Sequence, residues 1–245
     1  MKIMAIETSC DETSVAIVEA SGRLPAGGQG LKNPSFEILS NIVLSQVKIH
    51  AYWGGVVPMM AKREHQANLI PILKKALKKS SLPISKSKFI ISNKISKSKL
   101  QKIKKILERE SELLKQFLEF IPTIQTPKID VIAVTVGPGL EPALWVGVNF
   151  AKALAMVWNK PIVGVNHMEG HVVASLLKLN LKSKISKIMR FPALALLVSG
   201  GHTELVLIKK WGDYKIIGQT RDDAAGECFD KTARMLELPY PGGPQ

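Results

Sequence analysis

An α/β fold in two lobes is what this 245-residue sequence predicts, and three features predict it. Apolar residues alternate around a polar turn near the N-terminus, as in a strand hairpin. From Asp130 to Leu177 the pattern runs strand, glycine turn, helix, strand, helix, which demands a parallel crossover. At Ala193 a second strand–glycine loop–strand begins. Two such beginnings predict two related lobes with a cleft between them, residues 1–190 and residues 191–245.

The elements follow in order. Lys2–Ala20 reads as two strands, with Ile3, Ala5, Val15 and Ile17 on alternating positions and Glu7-Thr8-Ser9-Cys10-Asp11-Glu12-Thr13 between them. Gly22–Gly30 is a glycine/proline loop and Phe36–Leu44 a third strand. Gly54-Gly55-Val56-Val57-Pro58 breaks the chain before a helix over Met60–Lys79, whose stripe is Leu69, Ile72, Leu73, Ala76 and Leu77. Ser80–Ser98 is rich in serine and lysine and reads as a linker. Leu100, Ile103, Leu107, Leu114, Phe117 and Ile121 recur at helical spacing, interrupted near Glu110-Ser111 and ended by Pro122 and Pro127. A strand over Asp130–Val136, a helix over Val146–Trp158, a strand over Pro161–Val165 and a helix over Glu169–Leu177 form the crossover. Strands at Ala193–Val198, Glu204–Ile208 and Tyr214–Gly218 and a helix over Ala224–Leu236 complete the pattern.

Composition narrows the function. The hydrophobic fraction is 46% and the charged fraction 22%, which is globular rather than disordered. No apolar run reaches the roughly 18 residues of a membrane span, so no membrane association is expected. No leader peptide is read at the N-terminus, and two distant cysteines, Cys10 and Cys228, fit a reducing cytoplasmic setting better than a disulfide framework. The net charge is +14 and is concentrated. Ser80–Lys128 carries 11 Lys/Arg against 4 Asp/Glu, and Lys178–Arg190 adds five basic residues and no acidic one. Both runs read either as contacts for a polyanion such as nucleic acid or as solvated insertions.

Three groups of residues carry chemistry. His167 and His171 stand at i and i+4 of a helix, on one face, where two imidazoles share a metal ion. Glu169, two residues on from His167, points about 200° away from it, unlike the glutamate of the zinc-protease motif. The same pair also reads as two polar residues opening a helix. Leu197-Val198-Ser199-Gly200-Gly201, followed by His202-Thr203, offers bare backbone N–H groups to a phosphate, or is an ordinary hairpin turn. Asp11 and Glu12 at a hairpin tip suit proton transfer or cation binding, or form a solvated acidic turn. Four of the five histidines, His65, His167, His171 and His202, fall in dense polar clusters.

Taken in sequence, these strings resemble the TsaD family. They are Glu7-Thr8-Ser9-Cys10-Asp11-Glu12-Thr13-Ser14, Gly54-Gly55-Val56-Val57-Pro58, Arg63-Glu64-His65, Gly137-Pro138-Gly139-Leu140, Asn166-His167-Met168-Glu169-Gly170-His171, Leu197–Thr203, and Asp222–Glu227 through Asp230 to Gly243-Pro244. The resemblance implies an actin-like, sugar-kinase and chaperone-ATPase (ASKHA) fold of two lobes around a nucleotide cleft, with the second lobe truncated in this chain. It implies transfer of a threonylcarbamoyl group from threonylcarbamoyl-AMP to N6 of the tRNA adenosine beside the anticodon. It further implies one divalent metal, Fe(2+) or Zn(2+), on His167 and His171 and on an aspartate beyond Gln245. Leu197, Val198, Ser199, Gly200, Gly201, Asp230 and Gly243 would hold the nucleotide, and Asp11 and Glu12 would act in catalysis. Implied partners are tRNA, a TsaB-like paralogue and a TsaE-like small ATPase.

Three departures bear on these expectations. The chain ends at Gln245, before the family's later asparagine and metal-binding aspartate; Met59 stands where relatives carry glutamate; and residues 80–128 read largely as a basic insertion. The competing readings are a metal-dependent peptidase, a non-catalytic nucleotide-binding scaffold, and a kinase or ATPase by fold analogy.

Overall fold

The computed structural model describes residues 1–23, 32–82, 96–179 and 190–245. Most of the glycine/proline loop, the centre of the Ser80–Ser98 linker and most of the Lys178–Arg190 run lie outside these residues. No described helix is long and apolar enough to cross a membrane. The chain forms two compact units that do not follow chain order. One comprises Met1–Ser21, Phe36–Gln46 and Pro58–His167, the other Gly22–Ser35, Val47–Val57 and Met168–Gln245. The boundary expected at residue 190 adjoins residues 180–189, which are not among those described.

The first unit is built on a five-stranded mixed sheet ordered β3-β2-β1-β4-β5. β1 (Lys2–Glu7) and β2 (Glu12–Arg23) pair antiparallel, from Lys2↔Glu19 to Glu7↔Ser14, as the alternating pattern predicts. β3 (Lys32–Ser45) forms one edge. β4 (Val131–Gly137) runs parallel to β1, and β5 (Ile162–Asn166) parallel to β4, so the crossover is present. Helices α2 (Pro58–Lys79) and α5 (Glu141–Trp158) pack together and bury Leu69, Leu73, Leu77, Val146, Phe150 and Leu154 with Met4, Ile6, Ile17 and Ile132 of the sheet. α5 starts five residues before its apolar stripe suggests, because Pro142 lies in the first turn, where its missing N–H costs nothing.

The interrupted helix is two helices, α3 (Lys97–Ile106) and α4 (Ser111–Phe120). They are not a solvated hairpin. Ile103, Leu107, Leu113, Phe117 and Ile121 are fully buried in the same core, and Phe117 meets Phe150 edge to face at 6.2 Å. Between the helices, Glu110 is buried and accepts from Asn149 Nδ2 at 3.3 Å. Burial raises its pKa.

The second unit contains α1 (Val47–Ala51), most of α6 (His167–Leu179), an antiparallel sheet β6-β7-β8 (Ala193–Val198, Thr203–Lys210, Asp213–Gln219) and α7 (Ala225–Met235). Its small core is Met168, Val172, Leu197, Val206 and Ile208, flanked by Phe191, Ala193, Ala195 and Tyr214. β6 is apolar on both faces: Ala193, Ala195 and Leu197 turn to this core, whereas Leu194, Leu196 and Val198 are exposed.

Candidate active site

In the first unit, functional side chains gather at the β1–β2 turn. Thr8 Oγ1 donates to the Ala143 carbonyl at 3.0 Å, and the Ser9 carbonyl accepts from Leu140 N–H at 2.7 Å. Gly139 lets the two segments meet, since a Cβ there would stand 2.6 Å from Ser9 O. Glu7, ending β1, accepts from Ser9 N–H, from Thr135 Oγ1–H and from His167 Nδ1 at 3.3 Å. Burial alone would raise its pKa, but the bonds from His167, Thr135 and Ser9 outweigh this and hold it at about 2. His167 opens α6 directly after β5, and its Nδ1 also lies 3.2 Å from Ser9 Oγ. The bond to Glu7 raises the pKa of His167.

The turn then presents the two carboxylates. Asp11 is buried and Glu12 half-buried. Burial, with the Asp11 charge beside it, pushes Glu12 up to about 7. A carboxyl that exchanges its proton near neutrality is suited to general acid–base work. Burial and the same Asp11 charge push the Cys10 thiol up to about 12, so it is no nucleophile at neutral pH. From α2, buried His65 reaches Cys10 O with Nε2 at 2.9 Å and Thr13 Oγ1 with Nδ1 at 2.8 Å.

In the second unit the glycine turn is built onto α7. Ser199 N–H donates to His202 O at 2.8 Å, and Ser199 Oγ accepts from His202 N–H at 3.0 Å. Gly226, in the first turn of α7, donates to Ser199 O at 3.1 Å. A Cβ on Gly226 would lie 2.7 Å from that oxygen. Ala225 N–H donates to Thr203 Oγ1 at 2.8 Å. One helical turn on, Asp230 accepts from Gly242 N–H at 2.8 Å. Gly226 and Asp230 are four residues apart, so the two loops meet the same face of α7. Among the described residues no atom lies within 4 Å of a Cβ placed on Gly200, Gly201 or Gly243. These three glycines therefore answer no packing need among the described residues.

The family model of TsaD, tRNA N6-adenosine threonylcarbamoyltransferase, matches residues 37–92 and 103–245. The chain belongs to the TsaD family. Proteins named tRNA N6-adenosine threonylcarbamoyltransferase from Thermomicrobium roseum and Bacillus subtilis are each 41% identical over 100% of this chain, and one from Dictyoglomus turgidum is 42% identical. This chain spans 51%, 52% and 54% of their respective lengths, about half of the TsaD proteins it matches. A solved structure of YeaZ from Pseudomonas aeruginosa aligns with 90% of this chain and 68% of its own at 12% identity and a TM-score of 0.37, a level from which no shared fold follows. Within the stretch read as an insertion, the TsaD match runs through residues 103–128 and leaves out only 93–102.

Of the residues singled out from the sequence, the structure puts Asp11 and Glu12 side by side on the β1–β2 turn. It places Leu197 and Val198 at the end of β6, Ser199, Gly200 and Gly201 on the turn that follows, Asp230 on α7 and Gly243 on the loop after it, all in the second unit. His167 and His171 share α6, one turn apart. Among the described residues no group of three or more His, Cys, Asp or Glu side chains is placed to hold a metal. Sequence reasoning missed the roles of Glu7, Thr135 and Gly226. The available signal for Glu7 was a carboxylate at the end of an apolar strand, where only a partner makes burial tolerable.

Proposed function

We propose that the complete gene product transfers threonylcarbamoyl from threonylcarbamoyl-AMP to N6 of the adenosine next to the anticodon, position 37, in tRNAs reading codons that begin with adenine. What carries this reading is the chain-long similarity to TsaD proteins of that name. It goes with an ASKHA fold in which residues 191–245 begin a nucleotide-binding lobe, and with work alongside a TsaB-like paralogue and a TsaE-like small ATPase in the cytoplasm.

In the reaction the N6 amine attacks the carbamoyl carbon, the bond from that carbon to the adenylate oxygen breaks, and AMP leaves with the electron pair. The amine must shed a proton. Glu12, titrating near neutrality, is fitted to accept it, and burial, with the neighbouring Asp11 charge, keeps its proton affinity high enough to do so. The phosphate of the adenylate would rest on the Ser199–Gly201 turn, where the open space at Gly200 and Gly201 admits it to backbone N–H groups. Asp230 braces the loop carrying Gly243.

His167 and His171 would hold one divalent ion, Fe(2+) or Zn(2+). His167 fits the part: the Glu7 carboxylate on Nδ1 would fix the ring, as for metal-bound histidines generally. The pair supplies two donors, and among the described residues no group of three or more His, Cys, Asp or Glu side chains is placed to hold a metal. When bound, such an ion polarises a carbonyl or anchors a carboxylate. The peptidase reading asks Glu169 to act as base, but its carboxylate is bonded to Tyr214, whose pKa burial and this contact raise.

The test is to express the complete gene in cells depleted of their own enzyme and to measure N6-threonylcarbamoyladenosine in digested tRNA by mass spectrometry. Return of the nucleoside, lost again with His171→Ala, supports both transfer and the metal site. Its absence, with the protein folded and partners supplied, favours the non-catalytic scaffold.

A further inference from the structure

His65 lies outside every role assigned so far, yet it is fully buried and bonded on both ring nitrogens. Its Nε2 is 2.9 Å from Cys10 O. A carbonyl oxygen only accepts, so Nε2 carries the proton. Its Nδ1 faces Thr13 Oγ1 at 2.8 Å and Gln46 Nε2 at 3.4 Å. The Gln46 amide nitrogen only donates, so Nδ1 serves as acceptor, and the Thr13 hydroxyl, which can donate or accept, fits that role. The Cys10 and Gln46 contacts thus agree on one tautomer. Burial lowers the ring's pKa, in keeping with a neutral imidazole.

The next carbonyl is fixed as well, since Asp11 O accepts from Gln46 N–H at 2.9 Å. Two successive peptide groups of the turn are therefore clamped, one from α2 and one from the end of β3. The clamp opposes a definite force. When both are ionised Asp11 and Glu12 repel each other, and a hairpin tip free to relax would part them and expose both to water. Holding them together keeps Glu12 half-buried beside a like charge.

We propose that His65, as the Nε2–H tautomer, is a positioning residue that holds the Cys10 carbonyl and thereby sets the placement of Asp11 and Glu12. The kinetic part rests on the transferase reading; the tautomer part does not.

Two variants divide the ring's functions. In His65→Gln the amide nitrogen reaches the place of Nε2 and keeps the bond to Cys10 O. In His65→Asn the shorter amide reaches only the place of Nδ1, keeping Thr13 and losing Cys10. With the complete protein, its partners and tRNA, His65→Asn is expected to lower kcat by roughly 10- to 100-fold, as for misplaced catalytic groups, with KM for tRNA changed by no more than about 2-fold. His65→Gln should recover most of kcat at a similar Tm. In parallel, 15N NMR of the wild-type imidazole should show Nε2 protonated and Nδ1 bare. Equal losses of kcat in the two folded variants would make His65 merely structural and overturn the proposal, as would an Nδ1–H ring in the spectrum. If the wild type transfers nothing, the transferase reading has failed and the spectrum still decides the clamp.

Discussion

Gly226→Ala tests the architecture of the glycine turn. The added Cβ would stand 2.7 Å from Ser199 O, 2.8 Å from Gly200 Cα and 2.9 Å from Gly200 N. All three are backbone atoms, so no side chain can swing aside. Restoring ordinary contact requires the turn to move by about 0.6 Å, since packed interiors leave little slack. Such overpacking costs about 1–3 kcal/mol. Removing a glycine from a helix returns about 0.5–1 kcal/mol. The net loss of about 0.5–2 kcal/mol lowers Tm by roughly 1–8 °C in a chain of this size. The displaced turn should weaken AMP binding, measured by calorimetry on the complete protein, about tenfold, equivalent to ~1.4 kcal/mol. Gly200→Ala and Gly201→Ala supply the contrast. Neither Cβ meets any atom of the described residues within 4 Å, so stability should change by less than about 0.5 kcal/mol. A methyl placed where the phosphate approaches should still reduce AMP affinity. If both bind AMP like the wild type, the phosphate does not rest on this turn.

Glu12→Gln should divide stability from activity. The folded protein holds the Glu12 proton more tightly than the unfolded chain, so this group's contribution favours folding at low pH and is lost as pH rises from 4.5 to about 7. The variant should be more stable than wild type at pH 8 by on the order of 2 kcal/mol, allowing for solvent screening, and equal to it at pH 4 by urea denaturation, while its transfer rate falls. Glu7 has the opposite sign. Its folded pKa of about 2 gives stabilisation that is complete above pH 5 and is lost as pH falls from 4.5 towards 2. Glu7→Gln should therefore be destabilised at pH 7, with the gap to wild type closing in acid. It should also retain less metal by emission spectrometry, because His167 loses its anchor.

The crossover and the hairpin were legible because burial on a sheet imposes a period of two, and neighbouring turns supplied glycine and proline. The carboxylate pair and the glycine turn were legible as residue types but not as environments. Nothing in the string Cys10-Asp11-Glu12 tells that the Glu12 carboxyl is raised; that depends first on burial and then on the Asp11 charge beside it. Lysine density likewise misread α3. Charge dominates its composition, but Ile103 and, just beyond its end, Leu107 are buried, as are Leu113 and Phe117 of the mainly apolar α4. The strand at β6 was legible, but not that its two apolar faces differ: among the described residues only one is covered.

That misreading decides how the basic stretch should be tested. Deleting residues 80–128 would remove Ile103, Leu107, Leu113, Phe117 and Ile121 from the core, and Phe117→Ala alone should cost about 3–5 kcal/mol. A deleted protein that failed to bind RNA would only be an unfolded one. Charge reversal on the exposed side of α3 avoids this. Lys97, Lys102 and Lys105 are exposed, form no ion pair among the described residues, and share α3 with no acidic residue. Converting all three to glutamate should leave Tm within a few degrees, because exposed charges contribute little to folding. If they meet phosphates, tRNA affinity should fall and its dependence on salt should flatten by roughly two in the log–log slope, three contacts at about 0.7–0.9 each. An unchanged slope would mark α3 as a solvated face, with its lysines serving solubility and its apolar stripe serving the core.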